Sequence, residues 1–279
     1  MTNPIADPFV EVPDTDTQST LVRIDATPDG IATVTIDRAD KNNAFNAEVI
    51  AALREAFETL EGADGIRAIF VTGAGGNFSA GADLEWMRAA NELSEADNRD
   101  DAMQMALMLK HLHDLPALTV ALVQGSAFGG GAGLAAACDL AIATRDACFA
   151  FSEVKLGLIP ATISPYVVAA VGPRRARGLF ASGRSFDADF ARDIGLIDEV
   201  VADADALLAS RDRISREIMA CAPGAVADAK RLVDAVADRD IDHRLLEDTS
   251  HRIARARVSD EGREGVIAFL DRRKPHWAQ

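Results

Sequence analysis

QGSAFGGGAGLAAA, residues 124–137, is the stretch that most strongly determines how this chain folds. An apolar run, LTVALV (118–123), precedes it, and its Ala/Leu-rich end is compatible with a helix. The pattern predicts a strand, a tight glycine turn and a helix start. Glycines leave backbone N–H groups uncovered, and a helix start adds positive potential. We therefore expect an electron-rich group here: a phosphate, a carboxylate or an oxyanion formed during a reaction.

Length and composition limit the possible classes of protein. The chain has 279 residues, 48% of them hydrophobic, and a net charge of -15. This length allows one large or two modest domains with a sizeable core. The acidic balance argues against nucleic acid or an anionic membrane as the main partner. The three cysteines show no C-x-x-C spacing, which is typical of reduced thiols in a cytoplasmic protein, and no set of metal ligands is evident.

Two segments bear on targeting. Residues 115–138 carry no charge, but Pro116, Gln124 and five glycines interrupt them, so we expect a strand and a turn-helix rather than a membrane span. Nothing basic precedes Arg23, so no signal-peptide pattern is visible. Residues 1–19 are expected to be disordered.

The remaining pattern predicts an α/β fold. A hairpin turning at Asp29-Gly30, a helix capped by Asn46 and a buried strand at 68–73 come first. Strand-turn-helix units recur up to residue 202, so we assign 20–202 to an α/β core. Residues 91–101 are expected to form a mobile excursion before a helix at 102–112. Residues 203–279 read as helices only, with apolar stripes.

Three signatures occur in one order: NNAF (42–45), FSAGADL (78–84) and GSAFGGGAGLAAACDLAIAT (125–144). FSEVKLGLIPATISPY (151–166) follows them. Together they resemble the crotonase family of acyl-CoA enzymes, the enoyl-CoA hydratases and isomerases. The resemblance covers about residues 20–275. It implies a spiral of ββα units with a C-terminal all-helical trimerisation region, assembled as a homotrimer or a dimer of trimers. The last segment is similar to bacterial methylglutaconyl-CoA hydratases.

The resemblance also implies catalytic residues. In the family, two backbone N–H groups hold the thioester carbonyl oxygen, and they match Ala82 and Gly130. Such donors stabilise an enolate oxygen without a charged side chain. One of the family's two catalytic glutamates matches Glu153, whereas the other position holds Gly133. Glu153 alone could support syn hydration of a 2-enoyl-CoA or transfer a proton between the α- and γ-carbons; the similar subgroup, which also has a small residue there, favours hydration.

Contacts to the acyl-CoA thioester are implied in the same way. Arg38 and Lys41 are expected near the phosphates, and Phe269 and Lys274 are expected to come from a neighbouring subunit. The other candidate substrate-binding residues are Ala44, Ala80, Asp83, Leu84, Glu85, Trp86, Gly129, Gly133 and Ile163. Glu85 stands where lysine is frequent in the family. No cofactor is expected, since coenzyme A is part of the substrate.

Some residues and motifs also have other interpretations. Asp83 fits a helix cap better than a catalyst, and Asp139 fits a structural acid. His111 and His113 face apart on a helix, which disfavours a shared metal. GAGLAA (131–136) fits a dinucleotide-binding G-x-G-x-x-A, but the expected downstream acid is misplaced. A non-catalytic CoA-binding scaffold is a further alternative because of Gly133.

Overall fold

The computed structural model describes residues 21–279, and the disorder predicted for residues 1–19 lies outside this range. The strands are β1 (Val22–Ala26), β2 (Ile31–Ile36), β3 (Ala68–Gly73), β4 (Leu118–Val123), β5 (Ser126–Phe128), β6 (Leu140–Thr144), β7 (Cys148–Ala150), β8 (Ser185–Asp187) and β9 (Glu199–Val201). The helices are α1 (Ala47–Gly62), α2 (Leu84–Ala90), α3 (Glu95–Asp114), α4 (Gly130–Ala137), α5 (Ser164–Val171), α6 (Pro173–Ser182), α7 (Ala188–Asp193), α8 (Ala204–Met219), α9 (Pro223–Val236), α10 (His243–Val258) and α11 (Asp260–Leu270).

The strands form two sheets. The larger sheet has the order β1-β2-β3-β4-β6-β9, and the smaller has the order β5-β7-β8. β1 and β2 are antiparallel through the predicted hairpin, whereas the other pairs of the larger sheet are parallel. In the smaller sheet β5 is parallel to β7. Because β4 belongs to the larger sheet and β5 to the smaller, the chain passes from one sheet to the other just before the glycine turn. The predicted α/β class is therefore confirmed.

The central strands of the larger sheet, β2, β3, β4 and β6, are largely buried on both faces, which explains their nearly continuous apolar sequences. In β3, Ile69 and Val71 face the main core with α1 and α3, while Ala68 and Phe70 face a second cluster that includes Leu207 of α8. Alternation along the strand produces this division.

Helix caps fix several of the boundaries. The Asn46 side chain accepts a hydrogen bond from Val49 N at 2.9 Å, which confirms the predicted start of α1. The prediction of a mobile excursion at 91–101 is wrong for residues 95–101, which are helical. Ser94 caps α3 by accepting a bond from Asp97 N at 3.2 Å, so the helix begins at Glu95.

From α8 onward the described chain contains only helices and their connections, apart from a short 3-10 turn near the end. These helices leave many large apolar side chains exposed. The exposed residues are Leu208, Leu232, Val233, Leu246, Ile253, Val258, Val266, Ile267, Phe269 and Leu270. We call this set the C-terminal apolar face. The loop after Glu153 also exposes Leu156, Leu158 and Ile159.

Candidate active site

The first glycine-rich loop, residues 78–83, presents one free amide. Phe45 N donates to Gly81 O at 2.7 Å, and Asp83 N donates to Phe45 O at 2.8 Å. Ala82 lies between these two bonds, and its N–H has no acceptor among residues 21–279. Asp83 then caps α2, as the sequence predicted, by accepting bonds from Glu85 N and Trp86 N. The loop thus offers the Ala82 N–H just ahead of a helix.

The second glycine-rich loop presents another amide at the start of α4. Gly129 has φ +49° and donates its N–H to Ala150 O at 2.8 Å. Gly130 is the first residue of the helix, and its N–H has no acceptor within the described chain. The N-terminal end of α4 adds partial positive charge at this point. An anionic oxygen beside Gly130 would therefore be stabilised.

The two loops contact each other directly. Ser79 N donates to Ser126 O, and Phe128 N donates to Ser79 O, both at 3.0 Å. A methyl group on Gly81 would lie 2.7 Å from Phe128 O, and one on Gly131 would lie 2.6 Å from Ser79 O. Only glycine permits this approach. The structure therefore brings together the loops that carry the Ala82 and Gly130 amides.

Glu153 lies against the second loop. It begins a short 3-10 turn after β7, and its Oε1 is 2.8 Å from where a Cβ on Gly129 would be. Its Oε2 is buried and has no hydrogen-bond partner among the described residues. Burial raises the pKa of the Glu153 carboxyl, and a bond to its own backbone offsets part of this rise. A raised pKa makes this carboxylate a stronger base than an ordinary glutamate, which suits it to accept and return a proton.

The position at which the resemblance implies a second glutamate holds a glycine, and another side chain fills the space over it. Gly133 lies one turn into α4, and a Cβ on it would be 2.1 Å from Ile163 Cγ2 and 2.5 Å from Ile163 Cβ. Ile163 is 2% exposed. No side chain fits at Gly133 unless Ile163 moves. Position 133 therefore supplies no second carboxyl to accompany Glu153, and Ile163 fills the space there.

Comparison with known proteins identifies the family of this chain. The family model described as Enoyl-CoA hydratase/isomerase matches residues 26–279. The chain belongs to this family. Among its relatives, the enoyl-CoA hydratase ACTT6 of Alternaria alternata is 31% identical over 257 residues, which cover 90% of this chain and 82% of the relative. The 1,2-epoxyphenylacetyl-CoA isomerase of Escherichia coli is 33% identical over 252 residues, covering 89% and 95%.

Solved structures of this family share the fold. The enoyl-CoA hydratase of Shewanella pealeana superposes with a TM-score of 0.88 at 39% identity, covering 92% of this chain and 96% of that one. The predicted crotonase-type spiral with C-terminal helices is therefore confirmed. Among residues 21–279, no helix combines the length and apolar character needed to cross a membrane.

The residues predicted near the CoA phosphates differ in exposure. Lys41 Nζ lies 3.7 Å from Glu85 Oε1, and both side chains are largely exposed. The Arg38 side chain is only 14% exposed, and its Nη1 lies 2.7 Å from Asp83 Oδ2. Arg38 therefore faces into the protein, while Lys41 and Glu85 face outward. The prediction that they contact phosphates stays a prediction.

The other predicted substrate-binding residues surround the two loops. Ala44 is buried, Ala80 is half-buried, and Leu84 is 79% exposed at the start of α2. Trp86 packs against the main core. Within this chain Phe269 is 81% exposed on α11.

Other residues of the site were not anticipated from the sequence. Methyl and ring atoms of Met105 and Phe45 pack on Gly130, at 3.1 and 2.9 Å from its Cβ position. Asn43 is fully buried and donates through Nδ2 to Ala74 O and Asn77 O at 2.9 and 2.7 Å. Asn43 lies within the NNAF motif, which was a usable signal, whereas Met105 lies within an ordinary amphipathic helix.

Proposed function

We propose that this protein catalyses the syn addition of water to a 2-enoyl-CoA, giving a 3-hydroxyacyl-CoA. The observation that carries the proposal is the position of Glu153, whose buried Oε2 lacks a partner and whose carboxyl adjoins the Gly129–Gly130 turn. An unpartnered buried carboxyl oxygen is costly unless a substrate group or water completes it. Family membership supports an acyl-CoA substrate.

The proposed reaction uses three groups. Ala82 N–H and Gly130 N–H bind the thioester oxygen, and each such donor is worth about 10²- to 10³-fold in rate. Ionised Glu153 takes a proton from water as the water oxygen bonds to the β-carbon, and the thioester becomes an enolate. The proton then passes from Glu153 to the α-carbon, which restores the thioester carbonyl. No cofactor enters this scheme, since coenzyme A is part of the substrate.

A second candidate is isomerisation of a 3-enoyl-CoA to a 2-enoyl-CoA. The observation in its favour is the Gly133–Ile163 contact, which leaves no room for a second carboxyl. Glu153 would remove the α-proton and return it to the γ-carbon through the same enolate. Hydration needs a positioned water in addition, whereas isomerisation needs only one proton carrier.

Two finer proposals concern the acyl group and the assembly. Similarity in residues 151–166 favours a branched, carboxylated acyl group such as methylglutaconyl, which would need a cation; Arg88, exposed on α2, is the candidate. The C-terminal apolar face favours a homotrimer or a dimer of trimers, in which Phe269 and Lys274 of a neighbour would complete the CoA site. Many exposed apolar side chains on neighbouring chain segments are typical of an interface.

The test is a pair of assays with 2-enoyl-CoA and 3-enoyl-CoA substrates. We expect wild-type hydration, and we expect Glu153→Gln to lower kcat by about 10²- to 10⁴-fold, as for loss of a general base. Glu55→Gln, an exposed glutamate on α1, is the matched control and should retain wild-type activity. A Glu153→Gln enzyme with near wild-type hydration would overturn the mechanism.

Binding measurements separate the alternatives. Turnover of only the 3-enoyl-CoA would establish the isomerase. Binding of CoA without turnover of either substrate would favour the hypothesis of a non-catalytic CoA-binding scaffold. Binding of NAD but not of CoA would favour the hypothesis of a dinucleotide-binding site. Methylglutaconyl-CoA tested against an uncharged enoyl-CoA of similar length addresses the acyl group.

A further inference from the structure

A buried ion pair lies directly behind the first glycine-rich loop. The Arg38 and Asp83 side chains are 14% and 6% exposed, and Nη1 is 2.7 Å from Oδ2. Asp83 immediately follows Ala82, whose amide is one of the two proposed oxyanion donors. Two charges this far from water are expected to adopt one defined geometry, because leaving either unpaired is costly.

Arg38 connects both sides of the peptide segment that presents Ala82. Its Nη1 also donates to Ala44 O at 3.0 Å, one residue before Phe45. Phe45 in turn holds Gly81 O and Asp83 N on either side of Ala82. Arg38 thus ties the strand-like segment at 44–45 to Asp83, and the Ala82 amide lies between the tied points.

The other carboxylate oxygen of Asp83 is also hydrogen-bonded, to backbone groups that follow the loop. Oδ1 accepts bonds from Glu85 N at 2.7 Å and from Trp86 N at 3.2 Å, at the start of α2. Burial by itself would raise the pKa of Asp83, but these backbone bonds and Arg38 outweigh it and lower the pKa. Asp83 therefore stays ionised and paired across the neutral pH range.

We propose that Arg38, acting through Asp83, is a positioning residue that orients the Ala82 amide toward the thioester oxygen. This assigns Arg38 a role other than the phosphate contact implied by the resemblance, and it rests on the proposed function. Its guanidinium bonds point to Asp83 and Ala44. A phosphate contact would act on CoA affinity, whereas a positioning role acts on the transition state.

Two substrates separate these roles: a 2-enoyl-CoA and the same acyl group on pantetheine, which lacks the nucleotide phosphates. We expect Arg38→Met to lower kcat by about 10- to 100-fold on both, part of the value of one oxyanion donor. KM and CoA affinity should change by less than about threefold. Arg38→Lys should recover part of kcat. A loss confined to the CoA substrate, in KM, would overturn the proposal.

A readout without turnover keeps the test independent of the proposed reaction. A chromophoric cinnamoyl-CoA should absorb at longer wavelength when its carbonyl accepts the two amide hydrogen bonds. We expect Arg38→Met to remove most of this shift while CoA still binds. If Arg38→Met folds poorly, Asp83→Asn replaces it, with the same expected result. An unchanged shift would contradict the positioning role. If wild type shows the shift but no hydration or isomerisation, the proposed function fails and the positioning role stands.

Arg23→Met is the matched control. Arg23 is half-exposed and pairs with Asp25 and Asp37 on the surface. It should leave kcat and the cinnamoyl-CoA shift at wild-type values, because exposed pairs contribute little. An effect equal to that of Arg38→Met would indicate a general response to lost positive charge and would overturn the proposal.

Discussion

Glu153 Oε2 is the buried carboxylate oxygen without a hydrogen-bond partner in residues 21–279. The protein therefore keeps an acid in a place that favours its neutral form. Burial is the main cause of its raised pKa. A residue held this way for chemistry is expected to cost stability, since functional sites often carry such unsatisfied groups.

This cost predicts a pH-dependent gain in stability for Glu153→Gln. The folded-state pKa is raised, so the wild-type side chain favours folding most below the unfolded pKa of about 4.3, and this contribution is lost as pH rises through the folded pKa. Glutamine has no charge to desolvate. We expect the variant to be more stable than wild type at about pH 8. The difference in stability should vanish at about pH 4, because wild-type Glu153 is then largely protonated in both the folded and the unfolded state.

Urea unfolding at the two pH values measures the difference. Glu55→Gln on the exposed face of α1 should show no such pH-dependent gain. Equal stability of Glu153→Gln and wild type at both pH values would contradict the account of a desolvated carboxyl.

At the scale of elements, the site depends on how closely α4 approaches α5. Ile163 precedes α5, and its side chain occupies the space over Gly133 in α4. Interiors packed to this density tolerate an added methyl group poorly. The contact also determines that this end of the site is apolar.

We predict opposite effects for two glycine-to-alanine changes in helices. Gly133→Ala should lower the free energy of unfolding by about 1–3 kcal/mol, because its Cβ would overlap Ile163. Gly178→Ala in α6 has open space around the new Cβ in the described chain and should be neutral or stabilising by up to about 1 kcal/mol. Urea denaturation measures the free energy of unfolding of both variants. Equal changes would show that Ile163 shifts to accommodate the added methyl group.

Local patterns predicted many of the elements. The Asp29-Gly30 turn, the Asn46 cap, β3 and the strand-glycine-helix sequence around α4 were all visible because neighbouring residues encode them. The start of α3 was missed because Ser94 lies in a polar segment without apolar periodicity. The short elements between residues 164 and 201 were not predicted, since three- to ten-residue segments show little periodicity.

The site was predictable only in part for the same reason. Ala82, Gly130 and Glu153 lie in recognisable motifs. The Gly133–Ile163 contact joins residues that no local pattern relates, so Ile163 could be named but not its role as a space-filling group. The inward orientation of Arg38 likewise depends on a carboxyl 45 positions along the chain.

At the scale of the molecule, the side chains of the C-terminal apolar face stay exposed to solvent within a single chain. Residues such as Val266 and Phe269 are 60% and 81% exposed. Burying apolar surface contributes about 25 cal/mol per Å², so association of several chains would recover considerable free energy. We predict that this face holds the proposed trimer together.

Phe269→Asp should therefore shift the protein toward smaller species in sedimentation equilibrium, because a buried unpaired charge opposes assembly. Met103→Asp, a half-exposed apolar position on α3 outside this face, is the control and should leave the mass unchanged. A Phe269→Asp protein with wild-type mass would exclude this part of α11 from the interface.

The contact between Gly133 and Ile163 also constrains how the enzyme can evolve. A glutamate acquired at position 133 would enter a volume that Ile163 already occupies, so we expect it to destabilise the protein. A smaller residue at position 163 must arise earlier for the two-carboxylate site to become accessible. The two changes are therefore expected to be tolerated better when position 163 changes first, because Ile163 fills the space over Gly133.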